Sequence, residues 1–252
     1  DGLAGVAVGV EVMKRIRAEF QNPNFNYQLL VMPETVGSSV YLASNPDRID
    51  SYLGSVFIEM AGINSPVSLK NTRRGNTYLD RVMRHVIKES GLEFSECNFR
   101  DAYGNDEMVF DSPGVGIPGA TIQRYPYDAY HTSADDMSKT NPARLEELVE
   151  ILVQTVRVIE SDFIPHLRQR VPVWLTRFNL YADAHTEKSQ HNLNATVLDA
   201  LESGRSVFDI AQQVDAPYDA VKGYLNKFVE QDLMDATPLN PQYFRQCLET
   251  TA

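Results

Sequence analysis

Acidic side chains and one histidine fall where apolar runs of this sequence give way to loops. Glu34 comes just after the apolar run 27–32, and Glu59 is the penultimate residue of the run 53–60. Asp106 and Glu107 lie in the stretch 100–119, which holds four Gly and two Pro. His131 follows the short apolar stretch 120–124, and Asp1 stands just ahead of a helical pattern. In open α/β sheets, ligands bind outside the carboxyl ends of the strands. Carboxylates and an imidazole gathered there make a donor set for a borderline cation such as Zn²⁺. The chemistry of such a set is metal-assisted hydrolysis. The ion polarises a carbonyl and lowers the pKa of water toward ~7, and a nearby carboxylate moves the proton. Asp1, Glu34, Glu59, Asp106, Glu107 and His131 are the candidates for such a set.

A substrate terminus needs a counter-charge. Asp106 or Glu107 would hold an α-amino group, whereas Arg73, Arg74 or Arg124 would hold a carboxylate. Tyr103, Tyr127 and Tyr130 are candidate oxyanion donors. Each has a plainer reading. Asp1 can cap the helix that follows it, Arg73 and Arg74 can be a solvated loop pair, and the tyrosines can be packing residues. Glu59 resists the plainer reading, because a carboxylate inside an apolar run is costly to bury without a partner.

The elements that must position these residues follow from periodicity. Residues 3–20 predict a helix with Val6, Val10, Met13 and Ile16 on one face, its small Gly and Ala residues implying close approach to a sheet. Residues 27–32, 53–60, 66–70, 92–99 and 120–124 read as short strands. Helices are expected at 38–42, 77–90 and 142–162, the last opened by Asn141-Pro142. Strands alternating with helices imply an α/β/α sandwich with a mainly parallel sheet. This domain spans 1–165, and 166–190 reads as a connection. In 191–252, helical patterns at 192–202, 206–214 and 217–231 followed by an extended stretch predict a small winged helix-turn-helix domain.

The formal charge is −11, from 34 acidic and 23 basic side chains. That balance argues against nucleic acid as a partner, which needs clustered Lys and Arg. The last of the three helical patterns sets Lys222 and Lys227 against Asp219, Glu230 and Asp232, so the segment is expected to pack or to form a homo-oligomer rather than to bind DNA. No apolar run reaches the ~18–20 residues of a membrane span, and the two cysteines, Cys97 and Cys247, fit a reducing, cytoplasmic setting. The chain opens at Asp1 in what reads as the middle of a motif, so the natural N-terminus is expected upstream.

The order of these motifs resembles the co-catalytic zinc aminopeptidase clan, that of the bacterial leucyl aminopeptidases and glutamate carboxypeptidase. Asp1-Gly2-Leu3-Ala4-Gly5 is similar to its Asp-Asn-x-x-Gly segment, whose Asp bridges two zinc ions. Pro33-Glu34-Thr35-Val36-Gly37-Ser38 resembles the segment holding the general base and a ligand, and Glu59-Met60-Ala61-Gly62 the segment holding a further ligand. Gly104-Asn105-Asp106-Glu107 and Gly116-Ile117-Pro118-Gly119-Ala120 resemble its Gly-Ser-Asp-His and Gly-Ile-Pro-Ala landmarks. Tyr130-His131-Thr132-Ser133-Ala134-Asp135-Asp136 resembles the final His ligand motif. The likeness covers about residues 1–162. It is nearest to a bacterial aminopeptidase-like subfamily with a winged-helix tail, which shares Thr72-Arg73-Arg74-Gly75.

The resemblance implies a zinc-dependent exopeptidase acting on a peptide or amide, with one or two ions held by Asp1, Glu59 and His131 and with Glu34 as general base or fourth ligand. The clan's paired Glu-Glu is a single glutamate here, Glu34, so it is either the base or the ligand. That departure also leaves open a catalytically inert metal-binding scaffold and, more remotely, a winged-helix regulator.

Overall fold

The structure, a computed structural model, describes residues 2–101 and 104–248 of the 252-residue chain. Two units emerge from the backbone contacts: residues up to 160 together with those from 240 on, and residues 161–239.

The first unit opens with α1 (Gly2–Glu19), α2 (Val36–Ser44) and a 3₁₀ turn (Pro46–Ser51). It continues with β1 (Ser55–Ile58), β2 (Val67–Lys70), α3 (Tyr78–Glu89), β3 (Phe94–Cys97), α4 (Asp106–Phe110), β4 (Gly119–Arg124) and α5 (Pro142–Ser161). The sheet order is β1-β4-β2-β3. β1 runs parallel to β4 and β2 parallel to β3, while β2 and β4 are antiparallel. The sheet is therefore mixed, with two of its three pairings parallel. The inner strands β2 and β4 are buried along their whole length, as the apolar runs Val67–Lys70 and Gly119–Arg124 require.

Helix α1 packs by its glycines. A Cβ on Gly5 would lie 2.2 Å from the Ile58 carbonyl oxygen, so only glycine lets the helix approach β1 this closely. The expected close approach is present, but the inward face differs. Gly5, Val8, Gly9, Val12 and Ile16 are buried, while Val10 faces out. Helix α3 begins with a reciprocal cap: the Thr77 side chain accepts from the Asp80 N–H, and the Asp80 carboxylate accepts from the Thr77 N–H at 2.7 Å. Asp80 also accepts from the N–H and hydroxyl of Thr72, at 2.7 and 2.5 Å, which ties the loop after β2 to the helix start.

Two expectations fail here for physical reasons. Residues 27–32 form no strand; Leu29 and Val31 are exposed while Leu30 packs against the Leu42–Phe110–Ile117 cluster, so the segment is apolar in composition but without a strand neighbour among the described residues. Conversely, the stretch 100–119, expected to be loop, contains α4. Asn105 caps it by accepting from the Asp106 N–H, and Phe110 packs with Leu42 and Ile117 in a core cluster.

The second unit contains β5 (Phe163–Leu167), a 3₁₀ turn (Leu175–Phe178), α6 (Lys188–Ala200), a further 3₁₀ turn (Leu201–Ser203), α7 (Val207–Gln213), α8 (Tyr218–Glu230) and β6 (Met234–Pro238). β5 and β6 pair antiparallel, with Phe163 opposite Pro238 and Leu167 opposite Met234. Val197, Phe208, Ile210, Val221, Leu225 and Phe228 are buried on the three helices. Asp162, itself buried, accepts from the N–H groups of Phe163 and Phe208 at 3.0 and 2.9 Å, joining the start of β5 to the start of α7. The stretch 166–190, expected to be a connection, thus begins inside a strand. A last helix, α9 (Pro241–Arg245), belongs to the first unit and sets Tyr243 and Phe244 against Tyr78, with ring centroids 5.6 and 4.7 Å away. Among the described residues no helix is long and apolar enough to cross a membrane.

Candidate functional site

Glu59 directly follows β1 and is only 7 % exposed. The turn it enters is held from β4 by Arg124, which is buried. Its guanidinium donates to the Ala61, Ser65 and Arg144 carbonyls at 3.3, 2.9 and 3.1 Å and pairs with Glu147 at 2.5 Å. Arg124, a candidate to hold a substrate carboxylate, is therefore spent on the turn that carries Glu59.

The Glu59 carboxylate is poorly satisfied. Oε2 accepts from Asn105 Nδ2 at 3.5 Å, and Oε1 is buried with no hydrogen-bond partner among the described residues. Loss of water on burial pushes its pKa up to about 7. The Lys70 ammonium pulls the other way, while the charges of Glu107 and Glu34 add to the rise. Glu34 thus lies within electrostatic reach of Glu59. It sits in an exposed turn whose next residue, Thr35, has a left-handed φ of 54° and donates its N–H to Asp106 Oδ1 at 2.9 Å.

Asp106 and Glu107 open α4 and have different surroundings. Asp106 is half-buried and bound to the Glu34 turn. Glu107 is fully buried, pairs with Lys70 Nζ at 2.5 Å and accepts the Asn105 N–H at 3.0 and 3.2 Å. Sequence reasoning missed Lys70 and Asn105. The signal for Lys70 was a lone cation closing the otherwise uncharged run Val67–Lys70, and that for Asn105 its place beside two acids.

Arg73 and Arg74 lie away from Glu59. Because β2 is antiparallel to β4, the chain leaving β2 runs toward the start of β4 rather than its end. Asp111 Oδ2 accepts from both the Arg73 N–H, at 2.8 Å, and the Gly119 N–H, at 3.3 Å, which fixes Arg73 at that far end. Arg74 donates to the Arg245 carbonyl. The structure does not bring these two arginines together with Glu59. His131 follows β4, is exposed with a left-handed φ of 54°, and stacks on Tyr130 with ring centroids 3.8 Å apart. The Tyr127 hydroxyl donates to Asp135 and holds that carboxyl below its usual range. Asp1 and Tyr103 lie outside the described residues.

Among the described residues, no three His, Cys, Asp or Glu side chains are grouped to hold a metal. Glu59 still meets the chemical test for a zinc donor. It is a buried carboxylate with an unmatched oxygen and a neighbouring acid, and a bound cation would satisfy that oxygen.

Comparison with solved structures places the fold. A crystal structure described as a putative peptidase from Clostridium acetobutylicum matches with a TM-score of 0.76 at 22 % identity, over 94 % of this chain and 54 % of the other. An aminopeptidase from Aneurinibacillus sp. strain AM-1 matches with a TM-score of 0.50 at 18 % identity, over 63 % of this chain and 39 % of the other. At these identities the likeness is one of fold. In sequence, the chain is 28 % identical over 164 residues to a Clostridium acetobutylicum protein described as "Putative polysaccharide biosynthesis protein with aminopeptidase-like domain". That match covers 64 % of this chain and 37 % of the relative. The chain thus spans between about a third and a half of the length of the proteins it matches. Its residues 1–162 match the family described as "Domain of unknown function (DUF4910)", and the chain belongs to that family.

Proposed function

We propose that this chain is a metal-dependent hydrolase domain of the aminopeptidase type, using zinc and acting on a peptide or amide. The orphaned Oε1 of Glu59 is the observation that carries the reading. A buried carboxylate oxygen without a donor costs free energy, which a bound cation would return. The peptidase and aminopeptidase folds of the matched structures, and the aminopeptidase-like wording of the relative, support the same class.

In this reading Glu59, His131 and Asp1 are the zinc donors. The chemistry supplied by a zinc ion, when bound, is polarisation of a carbonyl and acidification of water. Glu34, exposed in its turn beside Glu59, accepts a proton at its carboxylate and returns it to the leaving amine. Asp106, bound to the same turn, is the acid placed to hold a free α-amino group. Glu107 is engaged with Lys70, so its role is internal.

The second unit is read as a winged-helix-like packing module. On α8, Lys222 lies 4.8 Å from the Tyr218 ring and 3.3 Å from Asp219, so this cation is already matched within the helix and offers little to a phosphate backbone.

Turnover of aminoacyl-p-nitroanilides by the zinc-loaded full chain tests the proposal. Glu34→Gln should lower kcat by about 10²–10⁴-fold, the usual contribution of a general base. Turnover that Glu34→Gln leaves unchanged would contradict it, and no turnover by a zinc-loaded wild type would favour the inert scaffold instead.

A further inference from the structure

Lys70 is the last residue of β2, and its side chain has no solvent exposure. Its Nζ meets Glu107 Oε1 at 2.5 Å, and the Glu107 side chain is equally buried. Glu107 then takes the Asn105 N–H on both carboxylate oxygens. Asn105 turns its side chain two ways: Oδ1 accepts the Asp106 N–H at 3.0 Å, and Nδ2 reaches Glu59 Oε2 at 3.5 Å. Asp106 accepts the N–H of Thr35, the residue after Glu34. Three consecutive residues thus reach three different places: Asn105 to Glu59, Asp106 to the Glu34 turn, and Glu107 to Lys70.

A buried ion pair is a poor source of stability. Replacing both partners by apolar residues of similar size is often neutral or stabilising. What a fully buried pair does provide is geometry. Glu107 cannot shift without abandoning the ammonium, and Asn105 cannot shift without abandoning Glu107. The segment that touches the Glu59 carboxylate and the backbone of the Glu34 turn is therefore anchored from beneath, by a side chain that solvent does not reach.

We propose that Lys70 is a positioning residue, which through Glu107 fixes residues 105–107 and so sets the Glu59 carboxylate and the Glu34 turn in a constant relation. This rests on the reading that Glu34 and Glu59 are the working carboxylates.

The double variant Lys70→Met/Glu107→Met removes the charges and keeps the bulk, so its melting temperature should stay near that of the wild type. A purely structural pair predicts nothing more. The proposal predicts that crystals of the metal-free double variant show the Asn105–Glu59 contact or the Thr35–Asp106 bond lost. It also predicts that zinc affinity, measured by chelator competition, falls about 10–100-fold, as for other outer-shell partners of a metal site. Asn105→Ala leaves the ion pair in place and should show the same fall, so it decides the matter if the double variant does not fold. Carboxylates that stay where they are in these variants overturn the proposal, as does displacement with zinc affinity unchanged. A wild type that takes up no zinc defeats the hydrolase reading instead. The variant crystal structures then still decide: displaced carboxylates uphold the positioning role, and unmoved ones end it.

Discussion

Lys70 and Glu107 face each other at 2.5 Å with neither side chain reaching solvent. The pair joins β2, an inner strand of the sheet, to the short helix α4. Removing one partner strands the other charge in the interior. Lys70→Met alone should therefore lower unfolding stability by about 3–5 kcal/mol, read as a drop in the urea midpoint at unchanged slope. A loss within error of zero would mean that water reaches the pair.

The raised pKa of Glu59 fixes the sign of a pH effect in metal-free protein. A group held at about 7 in the fold, against 4.5 when free, binds a proton in the folded state that the unfolded chain has released. Between those two values the fold holds more protons, so stability falls as pH rises. Urea unfolding followed from about pH 5 to about pH 7.5 should show that decline, and Glu59→Gln should flatten it. The same slope in both proteins would assign the proton to another group.

Gly5 sets helix preference against packing. Alanine is favoured over glycine by about 1 kcal/mol in a helix interior. Here a Cβ would stand 2.2 Å from the Ile58 carbonyl oxygen, a backbone atom that cannot swing aside. Overpacking of this kind costs about 1–3 kcal/mol or more, so the clash wins and Gly5→Ala should melt lower than wild type. A higher melting temperature would show that α1 stands off β1.

Much of the first unit could be read from residue type and spacing. The run Val67–Lys70 and the stretch leading to Arg124 became the two inner strands, and the Asn141-Pro142 opening with its apolar stripe became α5. Residues 27–32 were misleading because an apolar run signals burial or pairing without saying that a partner strand exists. Helix α4 was hidden because five residues carry too little periodicity, and its start rests on one Asn side chain. In the site, Glu59 was legible as an acid inside an apolar run. The displacement of Arg73 and Arg74 was not, since it depends on β2 running antiparallel to β4, which no local pattern encodes. The burial of Arg124 was equally hidden, because its partners at residues 61, 65, 144 and 147 meet only in three dimensions.

The central claim is that the unmatched oxygen of Glu59 belongs to a zinc site. Competition of the metal-free full chain with a chromophoric chelator measures this directly. The account predicts that the wild type takes up at least about one equivalent of zinc, and that Glu59→Ala weakens the binding by more than the ~10–100-fold expected for an outer-shell change. Equal uptake by wild type and Glu59→Ala, or no uptake by either, would contradict it.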